Sequence, residues 1–217
     1  MEECRIKKRN NFFLFFVLFF TSFLLNSLYT GEAEHSTLVN ISSVIPGIHI
    51  DLKYSTADNF TGEVVYDFQE CLLHADTASR LREVQVELEK MGMSLKIWDG
   101  YRPFKAQEKF WKLVPDTRYV SNPKKGGRHT RGTAIDLTIV TKDGLELPMP
   151  SGFDDFSEKA HRYYIDASEE EIHNREFLGQ IMEKHGFIGL ETEWWHFDLV
   201  EWQDYPPIKE EGLETKD

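Results

Sequence analysis

Cysteine is almost missing from this chain, which has two in 217 residues, Cys4 and Cys71. Cys4 lies in an N-terminal stretch with the look of a removable segment, and its loss would exclude an internal disulfide. There is no C-x-x-C pair, so the core must hold the fold and any metal site must draw on histidine and carboxylate. Positive charge is also scarce. Lys and Arg number 25 against 37 Asp and Glu, a formal charge of -12. That balance argues against a nucleic-acid partner, which needs a basic surface. It does not exclude an anionic small substrate, because one arginine can dominate a pocket. No internal repeat and no long Pro-, Gly- or Ser-rich linker divides the chain, so a single domain is expected.

Residues 5–9 read RIKKR and residues 12–25 read FFLFFVLFFTSFLL. A basic start before an uncharged apolar run is the pattern of a secretory signal peptide, although the run is long enough to serve as an uncleaved anchor. Small residues at Thr30, Gly31 and Ala33 form no clean A-x-A site, and no lipid-attachment cysteine follows. Either reading puts the domain outside the cytoplasm, in the periplasm or secreted, or held at the membrane. Membrane contact is then expected only through residues 10–29. The expected layout is a signal or anchor at 1–30, a domain at 31–205 and a loose acidic tail at 206–217. The sequence sets no oligomeric state.

Short extended segments are expected at 46–52 and 63–68. Asp76 or Thr77 is placed to cap a helix carrying Ala78, Leu81, Val84, Leu88 and Met91 at spacings of three and four, stopped by Gly92. Leu95 to Trp98 reads as a strand entering the tight GYRP segment. Residues 105–114 follow as a helix with Ala106, Phe110, Trp111 and Val114 inward. Ala134 to Val140 is the clearest internal strand, with a turn at 142–144. Ser168 and Glu171 have capping-box spacing before a stripe of Ile172, Leu178, Ile181, Met182 and His185, ended by Gly186. Trp194 to Val200 is a final strand. Strands and helices in no regular alternation predict an α+β domain with a central, mainly antiparallel sheet and flanking helices.

Two segments carry metal-ligand chemistry. GGRHTRGTAIDLTI contains His129 and Asp136, and ETEWWHFDL contains Glu193 and His196. Asp136 sits inside an apolar strand, where an unpartnered carboxylate is costly, so it needs a partner or a metal. A catalytic zinc keeps three protein ligands and one open position, and His129, Asp136 and His196 would supply the three. Glu193 is near enough to His196 to act as general base on the attacking water, with Glu191 as the fallback. On a regular strand Glu193 and His196 would face opposite ways, so the catalytic reading predicts a turn or bulge at 193–195. Arg102, held between Tyr101 and Pro103, could face the oxygen that gains charge, oriented by Asp99. Each residue alone has a plainer reading as a hydrogen-bonded core histidine, a structural salt bridge or a solvated strand edge.

Taken together, DLKYSTADNFTG at 51–62, LKIWDGYRP at 95–103, RHTRGTAIDLT at 128–138 and EWWHFDL at 193–199 resemble the VanX-type D-alanyl-D-alanine dipeptidases. The resemblance runs from about residue 44 to 202. It implies a zinc D-alanyl peptidase fold with one zinc per chain, ligands at His129, Asp136 and His196, a base at Glu193 and a transition-state arginine at Arg102. It further implies that Asp154, with Asp155 as a near neighbour, binds the amino group of a small D-amino dipeptide in a pocket lined by Tyr54. The chain departs from the family pattern at Gly127, where a serine is common. The N-terminal segment also differs from cytoplasmic resistance members and fits turnover of released wall dipeptides. The implied reaction is hydrolysis of D-alanyl-D-alanine to two D-alanines. The alternatives are a D,D-carboxypeptidase or endopeptidase on longer peptidoglycan peptides, or a silent zinc module that binds wall fragments.

Overall fold

The computed structural model describes residues 38–208. The segment 1–30 and residues 209–217 of the expected tail lie outside the described residues, all of which fall within one compact unit. Five strands make the main sheet: β2 (His49–Ile50), β4 (Met93–Asp99), β5 (Ala134–Thr141), β7 (Glu193–Leu199) and β6 (Phe187–Leu190), side by side in that order. Only the β2–β4 pair is parallel, so the expected α+β class with a mainly antiparallel sheet holds. A separate ribbon pairs β1 (Leu38–Asn40) with β3 (Leu72–His74). Among the described residues no helix is long and apolar enough to cross a membrane.

Alternation along β5 explains how one strand serves both core and site. Ile135, Leu137 and Ile139 are fully buried in the main hydrophobic cluster, so Asp136 and Thr138 project from the other face. The cluster is closed by α2 (Ala75–Glu89) and α4 (Glu169–Lys184), the short α1 (Ile41–Val44) packing at the ribbon end. Ala78, Leu81, Val84 and Leu88 of α2 are inaccessible to solvent, each larger side chain contributing about 1.5–3 kcal/mol by leaving water. Helix α2 begins earlier than its sequence predicts. The cap is the His74 ring, which accepts from the Asp76 N–H at 3.3 Å, because β3 runs straight into the helix. Met91 lies past the helix end and is 46 % exposed, so it leaves the predicted stripe. Helix α4 starts with the predicted capping box between Ser168 and Glu171. His185 is its C-cap rather than part of the stripe, and its ring meets Glu83 and Glu87 of α2.

Helix α3 (Phe104–Leu113) buries Ala106, Gln107 and Phe110, while Trp111 is half-buried. The segment 63–68 is not a strand. It loops back so that the Val65 and Tyr66 N–H groups both donate to the Tyr54 carbonyl at 2.9 Å. The first described residues of the expected tail are anchored at Ile208, which is buried and whose N–H donates to the Thr130 carbonyl at 2.8 Å.

The β1–β3 ribbon positions the site loops. The Tyr101 N–H donates to Leu72 O at 2.7 Å, and the His74 N–H to Gly132 O at 2.9 Å. A side chain at Gly100 would come within 2.7 Å of Leu72 O, and one at Gly132 within 2.7 Å of His74 N, with Gly132 at φ +68. Both glycines let the GYRP segment and the 129–132 turn lie directly against the ribbon.

Candidate active site

Asp99, Asp136 and His196 form one rung across β4, β5 and β7. Two irregularities create it. On β4 the register shifts between Ile97 and Asp99, and the extra residue Trp98 brings Asp99 beside Asp136. On β7 Phe197 pairs with Gly189 but Glu193 pairs with Leu190, so residues 194–196 bulge out of the β6–β7 ladder. That is the bulge expected at 193–195, and it leaves the Glu193 carboxylate 3.8 Å from His196 Nδ1.

His129 enters from a 3-10 turn (His129–Arg131). Its Nδ1 lies 2.8 Å from the Gly100 carbonyl, which can only accept, so the proton sits there and Nε2 offers a lone pair. His196 is held the opposite way round. Its Nε2 donates to Asp198 Oδ1 at 2.9 Å, leaving Nδ1 free. The two free nitrogens are 3.2 Å apart, with Asp136 Oδ2 3.4 Å from His129 and Oδ1 2.9 Å from His196. Ligands about 2.1 Å from a tetrahedral ion stand ~3.4 Å from one another, so the three donors fit a zinc-sized cation. All their ligand atoms lie within 4.8 Å of each other and all three residues are buried. Without a cation the cluster must hold a proton instead. Burial disfavours charge on His196, but Asp198 and Asp136 outweigh it and raise the ring to about 10. Burial also opposes the charged form of Asp136, yet His129 and His196 keep it well below the ordinary carboxylate range.

Arg102 packs over this floor, buried between the Tyr54 and Phe110 rings at 5.4 and 4.9 Å. Its Nε and Nη2 both donate to Asp99 Oδ2, at 3.0 and 2.6 Å, and Nη1 donates to Gln107 Oε1 at 3.3 Å. Asp99 is fixed in turn by the Tyr66 hydroxyl at 2.8 Å and the Gly100 N–H at 2.9 Å. Asp99 therefore orients the arginine as its sequence setting predicts. Glu193 stands 8 % exposed, and burial pushes it up to about 8, with His196 opposing. Glu191, the fallback, is exposed on the β6–β7 turn.

Tyr54 and Asp154 form the opposite wall, the phenol donating to Asp154 Oδ1 at 2.9 Å. Asp154 has φ +59, the one positive φ of a non-glycine among the described residues. Its Oδ2 is buried without a hydrogen-bond partner, though the Phe60 backbone lies near enough to favour its charge. Burial raises Asp154 to about 7. Asp155 instead caps a local turn, accepting from the Ser157 N–H at 2.7 Å. The space between floor and wall is a cavity of about 360 Å³. At Gly127, a Cβ would meet Gln107 Oε1 at 3.3 Å, so the amide of Gln107 takes up the space a larger residue would need.

Sequence reasoning missed Asp198, which fixes the His196 tautomer and is itself held by Arg128 at 2.9 Å. Two residues after His196 on the same strand, it shares that face, and strand alternation was the signal that could have found it. It also missed Gln107, whose only signal was helical spacing from Pro103.

Three convergent donors, an acid beside them and an arginine above define the class, a metal-dependent hydrolase. Residues 34–209 match the profile of the D-ala-D-ala dipeptidase family of peptidases. The chain belongs to that family and is a metallopeptidase. It is 38 % identical to the D-alanyl-D-alanine dipeptidase of Escherichia coli over 179 residues, covering 82 % of this chain and 93 % of that protein. To the D-alanyl-D-alanine dipeptidase of Enterococcus faecalis it is 34 % identical over 187 residues, covering 76 % and 92 %. The solved structure of the LdcB LD-carboxypeptidase overlays with a TM-score of 0.45 at 18 % identity, covering 79 % of this chain and 70 % of that one.

Proposed function

We infer that the protein hydrolyses D-alanyl-D-alanine to two D-alanines, using one zinc ion per chain held by His129, Asp136 and His196. The observation that supports this most is the convergence of Glu193 and Arg102 on the His–Asp–His cluster beneath a single small cavity. When bound, zinc would supply Lewis-acid polarisation of the peptide carbonyl and make water more acidic.

The chain's own residues do the rest. Glu193 accepts one proton of the attacking water at its carboxylate as the new C–O bond forms, and returns it to the departing amine as the amide C–N bond then breaks. Burial alone would keep Glu193 protonated at neutral pH, and a cation on the three donors favours the ionised form the first step needs. Arg102, locked by Asp99, donates to the carbonyl oxygen as it gains charge. Asp154 offers its unpartnered Oδ2 to the dipeptide's ammonium, with Tyr54 fixing the other oxygen.

Free D-alanine released from the dipeptide by purified protein tests the reading, before and after chelation and zinc re-addition. Chelator-sensitive release restored by zinc is expected. Zinc-loaded protein that leaves the dipeptide intact would overturn it. The same proposal puts the enzyme outside the cytoplasm, supported by the basic residues 5–9 before the apolar run 12–25. Cell fractionation checks that assignment.

A further inference from the structure

The bulge in β7 has a chemical cost. Residues 194–196 drop out of the β6–β7 ladder, and buried backbone carbonyls left without donors are unfavourable. One side chain meets that need. Arg162, from the loop after the 3-10 turn Glu158–Ala160, directs Nη2 at the carbonyls of Glu193 (3.3 Å), Trp194 (3.0 Å) and His196 (3.1 Å). Two hydrogens serve three acceptors, so at least one is shared. Its Nε donates to the Leu190 carbonyl at 3.2 Å, and its own N–H to Glu191 O at 2.8 Å. The guanidinium also lies 4.5 Å from the centre of the Phe197 ring. A Cβ on Gly189 would come within 2.2 Å of its central carbon, and one on Gly179 within 3.4 Å of Nη1. Gly189 therefore makes room for the guanidinium, whereas a side chain at Gly179 would only reach ordinary contact with it.

We propose that Arg162 is a positioning residue for the reaction: it holds the bulge that turns Glu193 and His196 toward the same point. It touches neither substrate nor metal and acts through the backbone of the base and of one ligand. The inference rests on the roles proposed above for those two residues.

The test compares the full-length protein with Arg162→Met, Arg162→Lys and Gly189→Ala. It reads dipeptide hydrolysis, zinc affinity by chelator competition, and unfolding midpoint. Residues that orient metal ligands cost about 10–100-fold in affinity or activity when changed. Arg162→Met that is folded and zinc-loaded is expected to lose at least about tenfold in kcat with KM within about threefold. Its zinc affinity is expected to weaken about tenfold, with Arg162→Lys recovering part of both losses. Gly189→Ala is expected to act in the same direction by displacing the guanidinium, and to add no further loss on top of Arg162→Met. If Arg162→Met does not fold, Arg162→Lys and Gly189→Ala carry the same comparison. A lowered unfolding midpoint with kcat and zinc affinity within twofold of the parent would make Arg162 structural only and sink the proposal. Were the parent inactive on the dipeptide, the functional reading would fail, and zinc affinity would still judge Arg162.

Discussion

The floor and the wall of the cavity are built on different principles. On the floor, His129, Asp136, His196 and Arg102 are buried, and each is fixed by partners within the protein, from the Gly100 carbonyl to Asp99 and Asp198. On the wall, Asp154 sits in a loop at φ +59 with one oxygen held by Tyr54 and the other buried without a hydrogen-bond partner. A floor with its internal valences filled, apart from those aimed at one point, is suited to chemistry that must not rearrange. A wall with one buried acceptor left over is suited to a partner that arrives and leaves. The lesson is that floor changes should appear in kcat and metal content, and wall changes in KM.

The sharpest test of the floor is Glu193→Gln, which keeps shape and removes the carboxylate proposed as the base. A fall in kcat of about 10²–10⁴-fold with zinc still bound is expected. Near-normal turnover with full metal content would assign the base elsewhere. Next comes Asp198→Asn, which leaves His196 with a weaker and ambiguous partner. Zinc affinity is expected to fall about 10–100-fold by chelator titration, and unchanged affinity would separate Asp198 from the metal centre.

The wall should yield smaller effects. Asp154→Asn removes a charge-assisted contact of about 1.5–3 kcal/mol, so KM is expected to rise roughly tenfold or more with kcat little changed. Because burial raises this carboxyl to about 7, the protein's grip on an ammonium should weaken as pH falls through that value, or through a lower one with a cation on the floor. The rise in KM at low pH should flatten in Asp154→Asn, and an unaltered pH profile would take Asp154 out of the role. An N-acetylated dipeptide should lose the same contact in the parent and show little further loss in the variant. The smallest effect belongs to Tyr54→Phe, which removes a hydrogen bond worth about 1 kcal/mol and should raise KM about fivefold. A drop in kcat instead would mean that Tyr54 serves the floor.

The same division explains what the sequence made legible. Asp136 was readable because a carboxylate within an apolar strand demands a partner, and the β7 bulge because Glu193 and His196 otherwise diverge. Local signals also carried α4, through its capping box, and the inward stripe of α2. What escaped depends on pairings between distant segments. Strands β1 and β3 are three residues each and exist only through one another. Strand β6 is four residues long and contains Gly189, which has little strand preference. His74 caps α2 because β3 delivers it there. Arg162 looked like any arginine in a polar loop, since its acceptors exist only once β7 has bulged.

The rung of Asp99, Asp136 and His196 has a consequence for how the molecule comes into being. It joins three strands far apart in the chain, the last of them ending at Leu199. Contacts between such distant segments are slow to form, because closing the long intervening loops costs chain entropy before the contacts offset it. A nascent or partly folded chain without β7 has His129 and Asp136 at most, and it lacks both Glu193 and the third donor. Metal in the surroundings would thus stabilise the finished molecule by mass action while offering little grip to its precursors. The chain cannot become an active hydrolase before its final strand is in register.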